Sequence, residues 1–217
     1  MAITYPYSLA AFADLLRYSS VVWDIKRNDL ISGQGSGRIW QAEMARPLWM
    51  AVMELPLMYS AEAKSIAALI RKLHGSQEMF FISDPLSPFP ASDPTGSLLG
   101  SASVSVASIG SDNASIALKG LPSGYKLTIG DKLEASFGSS PTRYAFLEVS
   151  ETVVANGSGV TPEFGVFPHI PVGLVANIAV KLKKPACLMK MMPQSHRPGT
   201  AQKHLTDGAG FTAIQAV

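Results

Sequence analysis

A single cysteine, Cys187, excludes an intrachain disulfide and any metal site built on several cysteines. It lies in an apolar, strand-like run, where a buried structural thiol is the commoner outcome than a reactive one. Charge is scarce as well, at 16% of 217 residues against the usual quarter. A chain so short of charge either shows neutral Ser, Thr and Gly to solvent or covers its surface by assembling with copies of itself; both are expected here. The net charge of +2 and the pI near 8.6 are too weak to argue for nucleic acid or an anionic membrane. No apolar run approaches the roughly 20 residues that span a bilayer, so no membrane insertion is expected. The basic and apolar regions of a signal peptide are missing too, so the expectation is a chain that folds in a cytoplasm.

Catalytic signatures are also missing. No H-E-x-x-H, G-x-S-x-G or paired metal-ligand spacing occurs. The run Gly33–Gly37 (GQGSG) places its third glycine one residue too early for a dinucleotide fingerprint, and a strand follows where a helix is needed, so it reads as a hairpin loop. Of the four histidines, His74 suits a helix C-terminus, His169 sits between prolines in Pro168–Pro171, and His196 and His204 lie in a polar segment. The expectation is no enzyme, no cofactor and no metal. A triad assembled from distant residues is the weaker rival. Lys181, Lys183, Lys184 and Lys190 could line a surface facing DNA, although a solvated strand face is commoner for so short a run. Trp23, Trp40 and Trp49 read as core or subunit-interface aromatics.

What is present is β patterning around one helix. The stretch Arg46–Ser83 reads as a strand (Pro47–Met58), a helix (Ser60–Leu73), a glycine stop at Gly75 and a short strand (Glu78–Ser83). Ser60 is the expected N-cap, and Ala63, Ile66, Ala67, Ile70 and Leu73 form an apolar stripe at helical spacing. Arg71, Lys72 and His74 crowd the last turn, where the helix dipole favours cations, and mark a candidate subunit interface. Before this stretch, a short helix at Ser8–Arg17, a strand at Val21–Arg27, a loop at Asn28–Gly37 and a strand at Arg38–Arg46 are expected, with Met1–Pro6 as an arm.

After it, the four prolines of Asp84–Gly100 mark an irregular connector. Alternating segments at Ser103–Ile109, Ser115–Leu118, Lys126–Ile129, Lys132–Phe137, Thr142–Val153 and Thr161–Phe167, with turns about every ten residues, suit a small β-barrel or sandwich. Ile178–Met192 and Phe211–Val217 carry the last strands, and Gln194–Gly210 is polar and flexible in character. Residues 1–97 are thus expected to form a β domain with a flanking helix, 98–177 an inserted small β domain, and 178–217 the strands that complete the first. The fold class is mainly β with one flanking helix (α+β), carrying an inserted small β-barrel or sandwich module.

The phrases Ser19–Arg27 (SSVVWDIKR), Ser36–Trp49, Phe80–Pro94 (FFISDPLSPFPASDP), Lys119–Gly130 (KGLPSGYKLTIG), Ser139–Tyr144, Gly159–His169 and Lys183–Ala186, in this order around the helix, resemble tail proteins of long-tailed bacteriophages and prophages. The resemblance runs over nearly the whole chain and is strongest to the distal tail protein. It implies a tail-tube-like β-sandwich or split barrel with one flanking helix, in a virion structural protein of the tail closed into a ring around the channel, with the hexamer as the expected order. Its implied partners are the tail tube protein, the tip or baseplate hub protein, and genomic DNA in transit. The resemblance implies localisation in the virion tail after assembly in a bacterial cytoplasm. The alternatives are a host-surface module binding glycan or protein, or another minor tail or tube protein. Many distal tail proteins carry their extra domain after the tube domain, whereas strand counting here puts it inside.

Overall fold

The computed structural model describes residues 4–33, 35 and 37–216. Half of the expected arm Met1–Pro6, together with Gln34, Ser36 and Val217, lies outside the described residues. The fold is mainly β with one α-helix among these residues, and it divides into two compact units, Met1–Phe80 with Met189–Ala216 and Phe81–Leu188.

The first unit is built on two long strands, β1 (Ser20–Gly33) and β2 (Ile39–Glu54), which pair antiparallel along nearly their whole length. Trp23, Ile25 and Val21 stand opposite Ala51, Trp49 and Met53, so apolar alternation places one face of the ribbon on the core. The stretches expected as strand at Arg38–Arg46 and from Pro47 form one strand as far as Glu54. Pro47 lies where the register slips between Lys26 and Asn28, and a bulge tolerates a residue without an N–H. The expected loop at Asn28–Gly37 is corrected, because Asn28–Gly33 pairs as strand with Ile39–Ala45. Turn-forming composition there is outweighed by the cross-strand ladder.

A short strand β3 (Met58–Tyr59) leads into α1 (Ser60–Arg71), which buries Ala63, Ile66, Ala67 and Ile70 as the periodicity requires. Tyr59, not Ser60, is the N-cap residue, and no side chain caps the helix. Ser60 is engaged elsewhere: its N–H donates to the His204 carbonyl (2.8 Å), and its hydroxyl accepts from Thr206 (3.2 Å). Gly75 adopts the left-handed conformation expected of it, at φ +70°. The strand β4 (Met79–Ser83) follows. Ser8–Arg17 is not a helix but a series of tight turns ending in a 3-10 segment, Ala13–Leu15. So short a helix does not repay its nucleation cost. Instead, Phe12 is buried against Phe80 and Phe211, with ring centroids 4.7 and 6.1 Å away.

The second unit begins within β4 and is a six-stranded barrel. Its strands are β5 (Ser105–Ile109), β6 (Ser115–Lys119), β8 (Lys132–Phe137), β9 (Arg143–Val149), β11 (Phe164–Phe167) and β12 (Val180–Lys181). The pair β7 (Lys126–Leu127) and β10 (Val153–Val154) is separate. The barrel order is β12-β8-β9-β11-β6-β5. Backbone bonds from Val106 N–H to Ile178 (2.9 Å) and from Val180 N–H to Val104 (2.9 Å) join its two ends. Closure removes the open edges on which other chains could pair. The interior is filled by side chains such as Val106, Ile116, Leu118, Leu133, Leu147 and Phe164.

The proline-rich segment expected to link domains belongs to this second unit, fastened by buried carboxylates. Asp131 accepts from the N–H groups of Ala91 (2.8 Å) and Thr128 (2.7 Å). Asp93 accepts from those of Leu98 (3.1 Å) and Leu99 (2.9 Å), and Asp84 from that of Leu86 (2.9 Å). The chain divides at Phe80/Phe81 and Leu188/Met189, where residues 97/98 and 177/178 were expected.

The chain returns through β13 (Ala186–Met191) and ends in β16 (Gly210–Gln215), giving the sheet order β1-β2-β16-β13-β4. Between them, the segment expected to be a flexible arm folds as a hairpin, β14 (Thr200–Gln202) and β15 (Leu205–Asp207), and β15 pairs with β3. Lys203, at φ +55°, makes its turn. Polar composition concealed this hairpin because most of its side chains face water.

Candidate assembly surface

The most unusual surface is the outer half of the β1–β2 ribbon. Strand β16 covers β2 only from Met50 to Glu54, so beyond the bulge the two strands pair, among the described residues, only with each other. Leu30, Ile31, Ile39, Trp40 and Met44 are each between 59% and 72% exposed there. The register pairs Leu30 with Ala42 and Ser32 with Trp40, which puts Leu30, Trp40 and Ala42 on one face. The opposite face carries Ile31 and Ile39 beside a polar network in which Arg27 bridges Asp29 (2.7 Å) and Glu43 (3.1 Å), and Gln41 donates to Asp29. The Arg27 guanidinium beside Asp29 holds that carboxyl below its usual range. An isolated two-stranded ribbon is marginal in water, and a cluster of large apolar side chains on one marks a contact surface. Sequence reasoning missed it because Asn28–Gly37 reads as a loop. The available signal was the pair of apolar dipeptides, Leu30-Ile31 and Ile39-Trp40, flanking the glycines at equal spacing.

The candidate interface at the helix end is exposed at all three positions, Arg71, Lys72 and His74. Arg71 lies close enough to His196 to help hold that imidazole below its usual range, after burial as the larger cause. The Lys72 carbonyl accepts from the Tyr5 hydroxyl (2.6 Å), and His74 takes φ +49° at the start of the turn. This end is therefore engaged with other parts of the first unit, while its charged side chains remain accessible.

The lysine run is mostly occupied. Lys181 pairs with the buried Glu134 (2.8 Å), whose other oxygen accepts from the Ala186 N–H (2.9 Å), and Lys183 donates to the Gly100 carbonyl (2.5 Å). Of the tryptophans, Trp23 and Trp49 pack with centroids 6.3 Å apart, Trp49 is buried, and Trp40 stands on the exposed ribbon. Cys187 is fully buried, and burial pushes its thiol well up, with Glu134 adding to the shift. His169 and His204 are exposed and lie in different units. Among the described residues, no group of three or more His, Cys, Asp or Glu is placed to hold a metal ion, and no helix is long and apolar enough to cross a membrane.

A buried charged group in the barrel unit is structural in its connections. Lys132 pairs with Glu148 and lies near Asp84 and Asp131. Burial raises both aspartates above the ordinary carboxylate range and lowers Lys132, while their backbone donors and the lysine charge oppose the rise.

Compared with known protein families and with curated proteins, the chain matches no family model and no curated sequence.

Proposed function

We propose that this chain is a structural subunit of a bacteriophage tail, the distal tail protein that forms a ring between the tail tube and the tip or baseplate. The observation that carries this reading is the exposed ribbon. Its apolar side chains are costly in water and contribute stability only when a partner covers them. A low-charge, mainly β chain with such a ribbon suits a subunit whose native state is an assembly; obligate interfaces are large and more apolar than ordinary surface. The residue phrases that resemble tail proteins supply the rest of the proposal: the ring of six, the tube and hub proteins as neighbours, and DNA passing through the channel. The closed, side-chain-filled barrel favours a structural role for the second unit over a ligand-binding lumen.

The test is electron microscopy of two samples. The full chain at micromolar concentration is expected to form rings with an open channel. Particles from a phage lacking the gene are expected to show tails without an attached tip. Normal tails with intact tips overturn the proposal, and intact tails that no longer adsorb assign the chain to host binding instead.

A further inference from the structure

Strand β2 carries an exposed tryptophan near one end and a groove at the other. The groove has a volume of about 360 Å³ and is lined by Leu55, Pro56 and Leu57, with Glu54, Asp207 and Gly208 around them. Leu57 is 58% exposed, and Tyr59 and Leu205, paired across β3 and β15, extend the apolar surface beside it. The tip of the ribbon has complementary character: Trp40 is an apolar projection, and the exposed Arg38 stands two residues before it. Asp207 supplies the opposite charge at the groove, while Glu54 is paired with Arg197 (3.3 Å).

We propose that Trp40 and the apolar face of the ribbon dock in the Leu55–Leu57 groove of a second copy of this chain, with Arg38 meeting Asp207. The docking cannot occur within one molecule. Trp40 and Glu54 lie on one strand, Ile39–Glu54, bulged at Pro47, and at ~3.3 Å per residue the strand between them runs up to ~46 Å. The contact is head-to-tail, so each copy uses its ribbon on one neighbour and offers its groove to another. Such an interface closes into a ring when its rotation allows, and otherwise grows as an open filament. The inference rests on the assembly reading above and names the surface that receives the ribbon. Weak net charge argues against nucleic acid as the occupant.

Mixing two variants of the full chain tests it by sedimentation velocity. The wild type is expected to form species larger than dimers, while Trp40→Asp and Leu57→Asp are each expected to remain monomeric. Their equimolar mixture retains one intact ribbon and one intact groove, so it is expected to stop at 1:1 dimers. Both positions are exposed, and thermal unfolding of each variant checks its fold. As a second arm, Arg38→Asp and Asp207→Arg each weaken assembly at least tenfold, and combining them in one chain restores it. Wild-type-like assembly by Leu57→Asp, or a mixture that stays monomeric, overturns the groove as the receiving surface and leaves the assembly reading standing. A wild type that is monomeric throughout the micromolar range overturns both.

Discussion

Replacing Asp131 with alanine tests how a segment of four prolines with almost no regular structure is held in place. Asp131 is 2% exposed, and its two oxygens accept from the N–H groups of Ala91 and Thr128. The first bond fastens the proline-rich segment to the barrel. The second closes the turn Thr128–Asp131, whose Gly130 takes φ +92°. A hydrogen bond to a charged group contributes about 1.5–3 kcal/mol, and a buried donor left without a partner costs about 1–3 kcal/mol. The burial that raises the Asp131 pKa offsets part of this gain, so Asp131→Ala is expected to destabilise the barrel unit by about 2–4 kcal/mol. Asp131→Asn keeps one acceptor oxygen and is expected to lose about half as much. Urea unfolding of the full chain measures the loss, and amide hydrogen exchange locates it, with protection falling first at Ala91 and Thr128. A loss below ~1 kcal/mol with both amides still protected would refute the assignment of Asp131 as the fastening.

Two other predictions concern the same unit. Asp84 and Asp131 have raised folded-state pKa values, so their contribution is full below the unfolded value of about 3.9 and is lost as pH rises through the folded values. Relative to an Asp84→Asn, Asp131→Asn double variant, the wild type should gain stability as pH falls from 7 towards 4 in parallel thermal melts; a constant or opposite difference contradicts the burial argument. Gly159 stands at φ +72°, where an added Cβ would collide with the Leu121 carbonyl oxygen, whereas Gly157 has open space and an ordinary φ. Gly159→Ala should cost about 2–4 kcal/mol, while Gly157→Ala should be neutral or stabilising by up to about 1 kcal/mol. Equal effects in denaturant titrations would contradict this contrast.

The legible part of the fold was wherever one physical signal acted alone. The stripe Ala63-Ile66-Ala67-Ile70 located α1, and the alternation at Lys132–Phe137 matched β8 residue for residue. Legibility failed where local composition and distant pairing disagree. Asn28–Gly33 has loop composition, but its ladder to Ile39–Ala45 makes it strand. Thr200–Asp207 looks like a polar arm until β3, some 145 residues earlier in the chain, provides the strand it pairs with. The ribbon surface was illegible for the same reason, since the exposure of Trp40 depends on how far β16 reaches along β2. The helix-end cations Arg71, Lys72 and His74 were legible as exposed groups, whereas the engagement of this end with Tyr5 and His196 was not.

The position of β16 in the sheet also sets a timetable. Its partner β2 is complete at Glu54, but the residue that pairs with Glu54 is Gly210. At ~5–20 residues per second, the ribosome delivers that strand ~10–30 s later. The whole barrel unit is synthesised within that interval and closes on strands of its own. The N-terminal ribbon waits meanwhile with the β2 edge from Met50 to Glu54 unpaired. Synthesis therefore orders the folding: the inserted barrel is finished before the sheet into which it is inserted, and β16, made after it, completes that sheet.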